Sequence, residues 1–169
     1  MMTAHHPILR LIAFAGLIAA GGAASHAGPA AGIDPITFFS GATDSVGTLK
    51  QSFSSAKPSH VTGFGALRGN GVFVLDQTVM ITGQPTTKRQ WLLHQISPGH
   101  YGGTVSDASG PVTIDVVGNH LLIRYTLKSG LKVESDLTIA PGGASGSNVS
   151  KIKKWGMSVA TLRETIRKN

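Results

Sequence analysis

The sequence predicts an all-β fold, a single antiparallel up-and-down β-barrel of about eight to ten strands. Apolar and polar residues alternate over several stretches, which is the pattern of strands with one buried face. Turn signals containing glycine or asparagine separate these stretches at regular intervals. Closure into a barrel is expected because it removes the exposed edges of the sheet.

Residues 1–27 are expected to be a helical secretory signal peptide. Arg10 precedes an uncharged apolar run over residues 11–24, which is shorter than the ~20 residues of a membrane-spanning helix. Small residues at Ser25 and Ala27 fit cleavage after Ala27, and an uncleaved anchor is the alternative. The sequence therefore predicts a periplasmic or secreted protein. It has no cysteine, so it offers no lipid-attachment site, disulfide or thiolate metal ligand.

Residues 28–35 are expected to be a flexible leader, and residues 36–169 a barrel whose length suits one domain. Phe38 and Phe39 are predicted to pack as an apolar plug at one end. The clearest alternation covers residues 131–139, where Val133, Leu137 and Ile139 share a face. Further strands are predicted over residues 72–82, 87–97, 111–117 and 120–128. For residues 155–168 the pattern allows a strand or a helix, and we favour a strand.

Turns are predicted where flexible residues interrupt this alternation. The turn signals are Asn70-Gly71, Ser97-Pro98-Gly99, Ala108-Ser109-Gly110, Gly118-Asn119 and Ser129-Gly130. Residues 141–147 are expected to form one longer flexible loop.

The motifs of common active sites are weak or absent. Gly63, Gly65 and Gly69 lack the spacing of a phosphate-binding loop and suit a bent strand. No serine lies in a nucleophile elbow. No recognisable metal-ligand spacing occurs among His60, His94, His100, His120, Asp107 and Asp115. An enzyme would require Asp107 to converge with His94 or His100 in a cleft. We therefore expect neither catalysis nor a cofactor or metal.

Five residues are the candidate ligand-binding residues. An arginine and an aspartate at strand centres are costly to bury unless they are paired, and tyrosine and tryptophan combine an apolar body with a polar tip. Inside a barrel, such side chains would line an apolar pocket with a few polar anchors. Ordinary core packing around one ion pair is the alternative. The residues are Arg89, Trp91, Tyr101, Asp107 and Tyr125.

The chain is basic, with a formal net charge of +7. Basic residues recur near the C-terminus, at Lys151, Lys153, Lys154, Arg163, Arg167 and Lys168. They would suit an anionic membrane surface, although a solvated basic edge is the favoured explanation. Nucleic acid is not expected as a partner, because only 6% of the residues are aromatic and could stack on bases.

The order of several segments resembles a domain-of-unknown-function family of proteobacterial envelope proteins, many of them lipoproteins. The matching segments are FFSGATDSVGTLK (38–50), GVFVLDQTV (71–79), KRQWLL (88–93), YGGTVSDASG (101–110), VVGNHLLIRYTL (116–127) and KKWGMSVATLRETI (153–166). The resemblance implies a lipocalin-like barrel in the cell envelope, and it implies no catalytic residue. The family's lipid-attachment cysteine is missing here, and SDLTIAPGGASG (135–146) replaces its acidic, tryptophan-containing segment.

Three functions follow from these observations. The first is an exported lipocalin-like protein that binds a small hydrophobic or amphiphilic ligand. The second is a structural or interaction module of the envelope that contacts anionic lipid or a protein partner. The third, with the least support, is a hydrolase-type enzyme.

Overall fold

The computed structural model describes residues 33–169. One short helix precedes ten strands. The elements are α1 (Pro35–Phe39), β1 (Gly41–Gln51), β2 (Lys57–Leu67), β3 (Phe73–Ile81), β4 (Thr87–Ser97), β5 (His100–Val105), β6 (Val112–Val117), β7 (His120–Thr126), β8 (Lys132–Ile139), β9 (Ser145–Lys154) and β10 (Met157–Lys168). The predicted all-β fold is confirmed, including the final strand.

The strands form a closed antiparallel barrel in which each strand pairs with its neighbours in sequence. The last strand returns to the first, and their register runs from Thr43↔Lys168 to Gln51↔Ala160. Every strand therefore has two partners and no edge is left exposed. Five hairpin connections lie at one end, which we call the open end: β1–β2, β3–β4, β5–β6, β7–β8 and β9–β10. The other end, the closed end, carries α1 and the remaining connections.

The predicted alternation is present along the strands. In β8, Val133, Leu137 and Ile139 are buried, whereas Lys132 and Glu134 are exposed. The predicted turns also form, with positive φ at the glycines of several hairpins. The predicted loop over residues 141–147 is too long, because β9 begins at Ser145. Pairing of Ser145 and Ser147 with β10 overrides the loop-like composition of this segment.

Helix α1 closes one end of the barrel. Asp34 caps it, since its carboxylate accepts hydrogen bonds from the backbone N–H of Ile36 at 3.0 Å and of Thr37 at 3.2 Å. Phe38 and Phe39 are buried and meet edge to face, with ring centroids 4.9 Å apart. They join the core cluster that fills the closed half, as the predicted plug requires.

The predicted signal peptide and most of the predicted leader lie outside the described residues. Within residues 33–169, no helix has the length and hydropathy needed to cross a bilayer.

Gly65 is required by the plug. A Cβ at this position would lie 2.1 Å from the Phe39 carbonyl oxygen and 2.4 Å from Phe73 Cζ. We expect Gly65→Ala to lower the free energy of unfolding by about 1–3 kcal/mol, because neither neighbour can move freely. Thermal or urea unfolding followed by circular dichroism measures this loss. Gly69→Ala is the matched control, since nothing lies within 4 Å of a Cβ there. Equal stability of the two variants would contradict the packing argument.

Candidate functional site

The candidate site is a cavity of about 370 Å³ inside the barrel. Its floor is formed by Phe39, Leu137 and Ile166 near the plug. Its lining reaches Gln84 in the β3–β4 connection and Thr87 at the start of β4, both of which are exposed to solvent. The barrel is therefore packed in its closed half and hollow towards its open end. The apolar walls include Leu49, Val61, Val79, Ile81, Ile123, Leu127, Val133, Ile152 and Leu162.

Gln77 organises one polar group on the cavity wall. Its Oε1 accepts a hydrogen bond from Arg89 Nε and another from Trp91 Nε1, both at 2.8 Å. The Arg89 guanidinium lies 5.3 Å from the centroid of the Trp91 ring, a cation–π contact. Trp91 in turn meets Tyr125 edge to face, with centroids 5.4 Å apart. Register explains the grouping, because β3 pairs Gln77 directly with Arg89 of β4.

Arg89 and Asp107 keep unused hydrogen-bonding capacity. Arg89 Nη1 lies 3.5 Å from the Tyr125 hydroxyl and 4.0 Å from Asp107 Oδ2. The second distance exceeds that of a direct hydrogen bond. Asp107 Oδ1 is buried and has no hydrogen-bond partner within residues 33–169. A donor and an acceptor therefore face the cavity within one small region, and a bound molecule could engage both.

A second polar group lies on β8, β9 and β10. Asn148 Nδ2 donates to Glu164 Oε2 and to Ser150 Oγ, both at 3.1 Å, and Ser150 shares a hydrogen bond of 2.6 Å with Ser135. Asn148 Oδ1 is buried with no hydrogen-bond partner among the described residues. The charged residues of the cavity lining are Arg89, Asp107 and Glu164. Together they give the lining a formal charge of −1.

The structure brings together four of the five candidate ligand-binding residues. Arg89, Trp91, Asp107 and Tyr125 line the cavity. Asp107 does not lie at a strand centre as expected but in the β5–β6 connection, because β5 ends at Val105. Tyr101 lies apart, in the packed core, where its hydroxyl bonds to Asp34. Ligand binding by these residues stays a prediction.

Polar residues of the cavity that the sequence interpretation missed include Gln77, Asn148 and Glu164. The sequence does contain a signal for Glu164, because it alternates with Leu162 and Ile166 and therefore lies on the same face of β10 as they do. Gln77 likewise shares the face of Phe73 and Leu75. When a polar residue lies two positions from apolar residues of the inward face, its side chain also points into the barrel.

The two tyrosines of the chain occupy environments that favour the neutral phenol. Burial and the hydrogen bond to the Asp34 carboxylate raise the pKa of Tyr101 to about 12. Burial also raises the pKa of Tyr125 above its usual value, against the opposing effect of the Arg89 charge. Although burial acts to raise the pKa of Asp34, hydrogen bonds from Thr37, Ile36 and Tyr101 hold it below its ordinary value.

The residues named for the enzyme alternative do not converge. His94 and His100 lie on the outer face of the barrel, whereas Asp107 lines the cavity. His100 pairs with Asp115 at 2.9 Å, and this hydrogen bond together with one from Arg124 lowers the pKa of Asp115. No cluster of three histidine or acidic side chains able to hold a metal ion occurs in residues 33–169.

The six C-terminal basic residues form a stripe along β9 and β10 rather than a patch at one end. Lys153 and Lys154 lie near the open end, and Lys153 pairs with Glu134 at 2.5 Å. Arg167 and Lys168 lie at the closed end, where Lys168 Nζ donates to the Thr37 carbonyl oxygen. Lys151 and Arg163 are exposed between them. Contact with a membrane through this stripe stays a prediction.

The chain belongs to the family described as "Protein of unknown function (DUF3833)", whose model matches residues 17–168. A search of curated proteins finds no match. Among solved structures, four chains match. One is the S-type phycobiliprotein lyase CPES from Guillardia theta, with a TM-score of 0.63 and 7% sequence identity, covering 79% of this chain and 90% of that one. At this identity the likeness shows the fold alone, and it confirms a lipocalin-like barrel.

Both tyrosines should ionise late in alkaline titration of the folded protein. Because their pKa values are raised on folding, the stability they contribute is complete below pH about 10 and is lost as the pH rises through about 12 for Tyr101. Tyrosinate absorbance followed against pH, in native buffer and in denaturant, measures the shift. Tyr101→Phe isolates Tyr125. If the tyrosines ionised at the same pH in the native and the denatured protein, their buried placement would be refuted.

Proposed function

We propose that this protein binds a small amphiphilic molecule inside its barrel, as a carrier or sensor rather than as a catalyst. The observation that carries the proposal is the half-hollow barrel, in which apolar walls surround polar groups with unused hydrogen-bonding capacity. Ligand pockets combine these two features, whereas a filled barrel core has neither. The fold shared with a phycobiliprotein lyase supports a barrel that is suited to a small ligand.

The polar groups define the chemistry of the head group. Asp107 Oδ1 and Asn148 Oδ1 are acceptors, so the ligand should bring at least one N–H or O–H donor. Arg89 can donate to an acceptor on the same head group. Since the lining carries a formal charge of −1, a neutral or cationic head is favoured over an anionic one. The ligand class is therefore an apolar body with an amide, hydroxyl or amine head.

We further propose that binding occurs after export, in the periplasm or outside the cell. The support is the pattern of residues 1–27, where an apolar run ends in small residues.

Filling the cavity should abolish uptake of an apolar probe. N-phenyl-1-naphthylamine is neutral, carries one N–H donor and gains fluorescence in apolar surroundings. Val79 lines the cavity, and Val79→Trp should weaken probe binding about tenfold or more, because the added ring occupies the space of the probe. Val46→Trp is the matched control, since Val46 lies on the outer wall and is exposed. Unchanged binding by Val79→Trp, with the fold intact by circular dichroism, would contradict an internal site.

Head-group charge should decide affinity within a series of equal chain length. Decylamine and decanamide should displace the probe more strongly than decanoate does. Asp107→Asn removes a negative charge from the lining and should improve decanoate relative to decylamine by about tenfold, a change of ~1.4 kcal/mol. Asp136→Asn is the control, because it makes the same charge change on the outer wall. A preference for decanoate in the unmodified protein would refute the assigned ligand class.

A further inference from the structure

Two aromatic residues protrude from the open end of the barrel. Phe53 lies in the β1–β2 connection and is fully exposed, and Trp155 lies in the β9–β10 connection with 84% of its surface exposed. The two hairpins are neighbours, because β1 pairs with β10. Ser52 N donates to the Val159 carbonyl oxygen at 2.9 Å, which ties the β1–β2 connection to the start of β10.

Both aromatics adopt a backbone conformation that does not suit them. Within residues 33–169, Phe53 (φ 62°) and Trp155 (φ 50°) are the non-glycine residues with positive φ. Trp155 and Gly156 form a two-residue hairpin loop with positive φ at both positions, where asparagine followed by glycine is the favoured sequence. A bulky residue is strained there. Packing within the fold does little to offset this strain, because both side chains are exposed. The Lys154 ammonium, 4.5 Å from the Trp155 ring centroid, is a contact that Trp155 makes. Strain of this kind points to a role outside the fold.

Lysines surround these aromatics at the open end. Six lysines lie in the open-end connections or within one residue of a strand end there, and none of the six forms an ion pair within residues 33–169. They are Lys50, Lys57, Lys88, Lys128, Lys132 and Lys154. By the same criterion, the acidic residue at this end is Asp107, which faces the cavity. Among the residues that the structure describes, the closed end carries Arg68, Arg167, Lys168 and Asp34 and has no comparable ring of unpaired lysines.

We propose that the open end, defined by Phe53, Trp155 and the six lysines, docks on the surface of an anionic lipid bilayer. Lysines attract anionic head groups, and exposed aromatic side chains enter the interfacial layer. The mouth of the cavity lies at this same end, so a docked barrel faces the bilayer with its opening. Passage of an amphiphile between bilayer and cavity rests on the proposed function, whereas docking itself does not.

The occupant is a bilayer rather than a protein because of how the apolar residues are arranged. The two aromatics stand on separate hairpin tips, with the exposed Met157 close to Trp155, among charges of one sign, whereas a protein interface has a contiguous apolar core that is depleted in lysine. At the closed end, Leu67, Ile96 and Val117 are also exposed, but they are aliphatic and have no positive φ. Leu67→Asn with Val117→Asn is the matched control, since it removes exposed apolar surface at the closed end and should leave vesicle binding unchanged.

The aromatic tips are tested by substitution with asparagine. Phe53→Asn and Trp155→Asn place at each positive φ the residue that tolerates it best after glycine, so the midpoint of thermal unfolding should hold or rise. The probe is a vesicle of phosphatidylcholine with or without phosphatidylglycerol, used with the full chain so that all variants share their N-terminal residues. We expect the double variant to lose about tenfold or more in co-sedimentation with the anionic vesicles. Quenching of Trp155 by brominated lipid should accompany binding by the unmodified protein.

The charges are tested by reversal at opposite ends. Lys128→Glu with Lys154→Glu should weaken anionic vesicle binding about tenfold or more, whereas Arg68→Glu with Arg167→Glu changes the net charge equally and should have little effect. Added salt should also release the unmodified protein. Equal loss from both pairs, vesicle binding unaffected by the asparagine variants, or no preference for anionic vesicles would overturn the proposal. Self-association through the open end without vesicle binding would do the same.

Docking and ligand binding can fail independently. Uptake of N-phenyl-1-naphthylamine in the absence of vesicles reports on the cavity, and vesicle co-sedimentation reports on the open end. The asparagine variants should keep probe uptake, because neither residue lines the cavity. Val79→Trp should conversely keep vesicle binding.

Discussion

The pairing of the last strand with the first is the interaction on which the rest of the structure depends. It joins β1 and β10 from Thr43↔Lys168 to Gln51↔Ala160, so the sheet has no edge. Closure gives every strand an inside and an outside, and it turns the period-two alternation of the sequence into a lined interior. Without it, the cavity residues of β3 and β4 would not face those of β9 and β10 across an enclosed space. The polar groups around Gln77 and Asn148 would then be exposed to water.

The difference between the two halves of the barrel arises from side-chain size. Near the closed end, inward positions carry Phe39, Phe73, Leu93 and other large residues that pack around α1. Further up, several inward positions carry serine, at Ser59, Ser135 and Ser150. Small side chains cannot meet across the barrel, so this part stays hollow, and their hydroxyl groups make its wall partly polar.

The alternation in the sequence was enough to predict the strands, but not the contents of the barrel. Strand β4 was predicted with its observed bounds, yet a shift of one residue would have exchanged Trp91 with Leu92, and only pairing with β3 and β5 fixes Trp91 inward. Glu164 could have been recognised from its parity with Leu162 and Ile166. The separation of Tyr101 could have been recognised too, because Tyr101 lies two residues after the predicted turn at Ser97-Pro98-Gly99 and pairs with Gln95, at the end of β4 away from Arg89 and Trp91. Local patterning could not show which part of the barrel stays hollow, because that depends on side chains from strands that are distant in the sequence.

The charges of the interior and of the open end have opposite signs, and this contrast constrains how the two could work together. In the proposed arrangement, lysines at the open end would attract anionic head groups to the outside of the mouth, whereas Asp107 and Glu164 would make the interior unfavourable for those same head groups. An anionic lipid would therefore hold the protein at the surface without entering the cavity. A neutral or cationic amphiphile dissolved in that bilayer would meet the apolar wall and the unused acceptors without repulsion. Under the two proposals, charge sign would separate docking from loading, because anionic lipid would serve as the docking surface while the cavity selects a neutral or cationic molecule.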